Sequence, residues 1–199
     1  MLDQTRRLDI PADVEESPTP SDSVPARSAI PLGSVGSGLT LDSLPGRDLD
    51  KRELLTLASA VAADAAAWRR HVAFGNNERH YVELHRDAHV DVWVLCWSPA
   101  NDTGWHDHDI SSGAVAVAEG CLVEHNLVLG STPLQTDVPA GRAYCFGPDH
   151  IHRLVGRDAG SVSIHAYSPP LWRMGHYETG TDGRLCRRSA SYAEELRAS

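Results

Sequence analysis

Basic residues are the minority charge in this chain, 18 Lys and Arg against 27 Asp and Glu for a net charge of −9, and they nowhere gather into a run. That argues against the electrostatic footprint of a nucleic-acid binder or of a protein held on an anionic membrane. No stretch approaches 18 consecutive apolar residues, so no membrane-spanning helix is expected. The first residues, MLDQTRRLDIP, lack the apolar segment of a secretion signal, and a cytoplasmic location is the expectation. Four cysteines, Cys96, Cys121, Cys145 and Cys186, show no C-x-x-C spacing, and three sit in apolar runs, which fits packed, reduced thiols better than a disulfide frame. There is no internal repeat, no parallel alternation of strand and helix, and no G-x-S-x-G elbow around a candidate nucleophilic serine.

What is present is enough for one domain: 199 residues, 41% of them hydrophobic, can bury a substantial core. Residues 1–38 are rich in Pro, Ser, Asp and Gly and poor in large apolar side chains, a composition expected to form a tail that does not fold by itself. The single domain is expected over 39–185. Within it Leu54, Leu57, Ala58, Val61, Ala65 and Trp68 recur at helical spacing after Asp48 or Asp50 as the cap, predicting one amphipathic helix over 50–71. From Arg79 onward the segments HYVELHR, VDVWVLCW, GAVAVAEGCLVEHNLVL, GRAYCFG, HRLVG and SVSIHAYS are short, strand-like and divided by turn residues. Such a series predicts an all-β barrel or jelly roll over 79–170 behind the helix. Residues 186–199 form an extension that could add a strand and a short helix.

Inside this pattern lies His106-Asp107-His108. In an extended strand the two histidines project to one side and Asp107 to the other. Two imidazoles aimed at one point are half of a metal site. With 11 histidines in 199 residues, a His-x-His pair arises by chance about 0.6 times, so the pair alone is poor evidence. Its frame of strands and glycine-rich turns gives it weight. A third donor stands in Pro148-Asp149-His150-Ile151-His152-Arg153, where spacing alone does not choose between His150 and His152. A later strand carries Ser163, His165 and Tyr167 on one face and Ile164 and Ala166 on the other, which implies either a solvated face or a polar-lined cavity. His80, His85, His89, His125 and His176 read as surface or supporting residues, and Trp93, Trp97 and Trp105 as core or rim. Three histidines without a carboxylate suit Zn²⁺ with an activated water, or non-haem Fe²⁺.

The order of three motifs, WxPxxxTxWHDHxxSxGAVxVxxGxLxE, then PxxIHR, then SxHxYSPPL, resembles the cysteine dioxygenase family of cupin thiol dioxygenases from about Tyr81 to Tyr177. The resemblance implies a cupin-type β-barrel holding Fe²⁺ on His106, His108 and His152, with a Ser163, His165, Tyr167 relay beside it. It implies oxidation of a small, cysteine-like thiol to its sulfinate by O₂, without organic cofactor, in a monomer or small homo-oligomer. Two positions depart from the family. Mammalian members have a cysteine five residues after the second ligand, crosslinked to the tyrosine; here that position is Gly113, so Tyr167 is expected to be a free phenol. Many members also place an arginine near the first strand to clamp the substrate carboxylate. Glu83 is aligned there, in a pocket expected to include Tyr81 and Arg173, and a carboxylate would repel such a substrate. Arg79, Arg86 or Arg173 would then supply the charge, or Glu83 would favour a cationic or uncharged thiol. Other readings are a cupin using Zn²⁺, Ni²⁺ or Mn²⁺, and a non-catalytic metal- or ligand-binding module.

Overall fold

The helix starts at Asp50, whose carboxylate accepts the backbone N–H groups of Arg52 (2.7 Å) and Glu53 (2.9 Å) while Glu53 takes the N–H of Asp50 (2.9 Å). This reciprocal cap opens α1 (Lys51–Ala63). The expected single helix over 50–71 is instead three pieces. Asp64 leaves the helical conformation (φ −92°, ψ 87°) and its carboxylate accepts from Ala66 N, so a short polar side chain competes for the backbone and restarts the chain as α2 (Ala65–Trp68) followed by a 3₁₀ turn at Arg69–His71. The computed structural model describes residues 29–34, 38–75, 79–99, 101–128, 131–179 and 185–191.

Two six-stranded sheets follow from the alternating segments. Before the helix lies β1 (Ile30–Pro31); after it come β2 (His80–Arg86), β3 (Asp91–Trp97), β4 (Trp105–Asp107), β5 (Ser112–Glu119), β6 (Cys121–Asn126), β7 (Leu134–Pro139), β8 (Arg142–Phe146), β9 (His152–Gly156), β10 (Ser161–Ser168), β11 (Arg173–Thr179) and β12 (Leu185–Ser191). One sheet runs β1-β8-β5-β10-β3-β2 and the other β12-β11-β4-β9-β6-β7. The run read as one strand over 113–129 breaks at Gly120, which has φ 71° and no room for a Cβ against Ser161. That glycine lets the chain pass from the first sheet to the second.

The first sheet is buried on both faces, and β10 shows why every one of its residues is buried. Val162, Ile164 and Ala166 join Leu54, Leu57, Ala58 and Val61 of α1 in one apolar cluster. Ser163, His165 and Tyr167 face the other way, into the barrel, where Trp93, Trp97, Val115, Phe146 and Leu154 form a second cluster. The inverted polarity of β10 is therefore a polar-lined cavity and not a solvated face.

Two boundaries move. Ala29 is buried, Ile30 and Pro31 pair with Ala143 and Arg142, and the Arg142 guanidinium binds the Ala29 carbonyl, so residues 29–34 belong to the fold although they were expected in the tail; residues 1–28 lie outside the described residues. The second sheet also runs past 170, because β11 and β12 form a hairpin bonded to β4. The short helix expected near the C-terminus lies outside the described residues. All four cysteines are free, and no described helix is long and apolar enough to cross a membrane.

Candidate metal centre

His106 is directly opposite His152 in the pairing of β4 with β9, and His108 follows one extended step beyond Asp107. The three rings converge inside the barrel with centroids 4.6 Å (His106 and His152), 4.9 Å (His106 and His108) and 5.2 Å (His108 and His152) apart. All three residues are at most 3% exposed. Two of them have a settled tautomer. The Nδ1 of His106 is 3.0 Å from the carbonyl of Gly104, and the Nδ1 of His152 is 3.0 Å from Oε1 of Glu124. Both acceptors lack a proton to give, so each ring carries its proton on Nδ1 and its lone pair on Nε2. Burial, then the neighbouring His152, depresses the basicity of His106, and burial followed by His106 does the same for His108. Neutral imidazoles with outward lone pairs are metal donors.

His108 gives the test of fit. Both of its ring nitrogens are buried and have no hydrogen-bond partner among the described residues, a costly arrangement for polar atoms unless something binds them. One ligand nitrogen from each of the three histidines falls within 4.8 Å of the others. The set therefore fits a divalent first-row metal with open coordination positions. A second cluster, Glu124, His150 and His152, is already satisfied otherwise. Oε1 of Glu124 accepts both the Nε2–H of His150 and the Nδ1–H of His152 at 3.0 Å. Burial would raise that carboxyl, but these two bonds hold it at about 2. Glu124, itself held by His150, therefore fixes the orientation of the His152 ring. Sequence reading left Glu124 without a role; the signal was its place two residues after Leu122 on an inward-facing register of β6.

On the opposite wall stands the relay. Trp97 Nε1 donates to Ser163 Oγ (2.8 Å), which lies 2.9 Å from His165 Nε2, and His165 Nδ1 is 3.1 Å from the Tyr167 hydroxyl. An indole N–H can only donate, so Ser163 accepts from Trp97, and Nε2 of His165 is the one acceptor among the described residues for its own proton. Nδ1–H then donates to the Tyr167 oxygen, and the phenolic proton is left to the cavity. Burial brings His165 down to about 3 and pushes Tyr167 above its ordinary value, so the imidazole is neutral and the phenol stays protonated. The Tyr167 ring lies 5.1 Å from that of His108. A Cβ on Gly113 would overlap the Phe146 ring and come within 3.1 Å of Tyr167; the space a crosslinking side chain would need is filled by Phe146. Trp97, read from sequence as core or rim, is the head of this chain.

Tyr81 packs edge-on against Trp93 at 6.0 Å, on the barrel side. Glu83 is exposed and lies opposite Trp93 in the pairing of β2 with β3, on the face of the strand that carries Tyr81. Arg173 is exposed, 3.6 Å from Asp109. The guanidinium carbon of Arg79 is 5.0 Å from the centre of the Trp97 ring, and its charge contributes to lowering His106 and His165.

The family model described as cysteine dioxygenase type I matches residues 38–180. Among solved structures, the chain is similar to a Klebsiella pneumoniae protein with a double-stranded β-helix domain (15% identity, 60% of this chain and 91% of that one, TM-score 0.45). It is also similar to a cupin superfamily protein of Desulfitobacterium hafniense (10% identity, 51% and 86%, TM-score 0.43).

Proposed function

We propose, for a chain that belongs to the cysteine dioxygenase type I family, that it oxidises a small carboxylate-bearing thiol to the sulfinate, RSH + O₂ → RSO₂H. Both oxygen atoms go to sulfur, and the electrons that reduce O₂ come from that sulfur, so no organic cofactor takes part. The observation that carries this reading is the convergence of His106, His108 and His152 opposite the Tyr167 hydroxyl. A ferrous ion on those three histidines would supply the site where the thiol ionises and O₂ is activated.

The chain's own groups then divide the work. Tyr167 donates its phenolic hydrogen into the cavity, orienting oxygen or the substrate, while His165, Ser163 and Trp97 hold that hydrogen in place from behind. Arg79 supplies the cation for the substrate carboxylate, the role that Glu83 cannot fill. Phe146, Val115 and Leu154, all buried, exclude water from the same chamber.

The test is oxygen uptake by the Fe²⁺-loaded protein with cysteine, homocysteine, 3-mercaptopropionate and cysteamine, with mass spectrometry for a product heavier by two oxygens. Carboxylate-bearing thiols are expected to react, and Arg79→Gln is expected to raise their KM about tenfold or more while leaving cysteamine unaffected. Absence of thiol-dependent uptake with every thiol would refute the dioxygenase reading; a preference for cysteamine would refute the role of Arg79 alone.

A further inference from the structure

The strand that carries His106 is only three residues long, Trp105–Asp107, with His108 just beyond its end, and the Asp107 side chain between the two histidines points away from the barrel cavity. β4 meets β9 at one position, His106 opposite His152. Its other edge pairs with β11, where Gly175, His176 and Tyr177 face Asp107, His106 and Trp105. So short a strand has little to hold its conformation.

The Asp107 carboxylate makes up for this. Arg187 grips it with both prongs of its guanidinium, Nε to Oδ2 at 2.7 Å and Nη2 to Oδ1 at 2.8 Å. The Tyr177 hydroxyl donates to Oδ2 at 2.6 Å, and the backbone N–H groups of Asp109 and Gly175 donate to Oδ1 at 2.9 and 3.2 Å. Arg187 belongs to β12, one strand further out than β11, and reaches Asp107 by crossing Gly175. A Cβ at that position would overlap the guanidinium. Ser189 steadies the fork from its far side, its Oγ accepting Nη1–H at 2.7 Å. A bidentate arginine fixes direction as well as distance, which a lysine cannot.

We infer that the C-terminal hairpin, acting through Gly175, Tyr177 and Arg187 on Asp107, positions His106 and His108 for metal binding. The inference rests on the metal reading of those histidines given above. His106 and His108 flank Asp107 in the chain, so any backbone rotation there swings both imidazoles. Holding the carboxylate at five donors keeps both rings on the same face before any ion arrives, and the ordering cost is met in folding and not in binding. These are positioning residues: they touch neither ion nor substrate.

The most selective variant is Gly175→Ala, which removes no polar group and displaces only the flexible end of Arg187. Arg187→Lys keeps the charge and loses the fork. Arg188→Lys, on the opposite face of the same strand, is the control. Co²⁺ is titrated into each protein by its visible absorption, and amide hydrogen exchange is followed over 105–109 in the metal-free state. Gly175→Ala and Arg187→Lys are expected to weaken Co²⁺ binding about 10–100-fold and to speed exchange over 105–109, with exchange over 161–168 unchanged and the control like wild type. Unchanged affinity and exchange in both variants, with only a lowered melting temperature, would assign the hairpin a purely structural part and overturn the inference. A wild-type protein that binds no Co²⁺ would instead sink the metal reading, and the exchange data would still decide whether the clamp orders β4.

Discussion

An indole N–H donates and never accepts, and at the scale of single residues that one restriction orients the relay. Ser163 spends a lone pair on Trp97 and turns its own proton to His165, which leaves the hydrogen of that ring on Nδ1. Trp97→Phe keeps the ring in place against His165, from which it stands 6.1 Å centre to centre, and removes only the donor. Turnover is expected to fall about tenfold, the worth of one hydrogen bond, with a broadened pH profile; initial oxygen uptake across pH checks it, and wild-type rate and profile would remove Trp97 from the relay. Ser163, His165 and Tyr167 were legible because polar residues alternated with Ile164 and Ala166. Trp97 was not, since a tryptophan in an apolar run carries no sign of where its N–H goes.

Among elements, β5 shows how closely two strands and a ring are fitted. Gly113 pairs with Phe146 on one side and Tyr167 on the other, and neither neighbour leaves space for a methyl group. Gly113→Ala is expected to destabilise the fold by about 1–3 kcal/mol through overpacking, read from the midpoint of urea unfolding; an unchanged midpoint would mean the Phe146 ring turns aside freely. Strands with a clear alternation and flanking turns, such as β2, β8 and β10, were readable from the residues. β1 was not, because two residues contain no period to detect. The break of the helix at Asp64 was equally hidden, since Ala65 and Trp68 continue the apolar stripe across it.

For the molecule as a whole, stability carries a pH dependence through Asp91. Its side chain is fully buried, with Arg86 Nη1 at 2.9 Å and the Leu171 N–H at 3.0 Å on Oδ2. Burial outweighs those contacts and raises the carboxyl to about 6, above the value near 3.9 of an unfolded chain. The folded protein therefore keeps a proton on Asp91 where the unfolded chain has released it. That contribution is complete below about pH 4 and is lost as pH rises through about 6, on the order of 2 kcal/mol. Unfolding free energies of wild type and Asp91→Asn between pH 4 and 7.5 check this: the wild type is expected to lose stability relative to the variant as pH rises, and parallel curves would exclude it.

Local pattern was enough to announce a strand-rich domain behind a helix, a pair of imidazoles on one face, and a polar stripe on β10, because alternation and helical spacing are properties of neighbours in the chain. Whether His106, His108 and His152 meet, which face of β10 looks into a chamber, and which cation reaches that chamber depended on two sheets closing over each other. So did the grip of a C-terminal arginine on Asp107. These are distances between residues tens of positions apart, and only the packing of the sheets sets them.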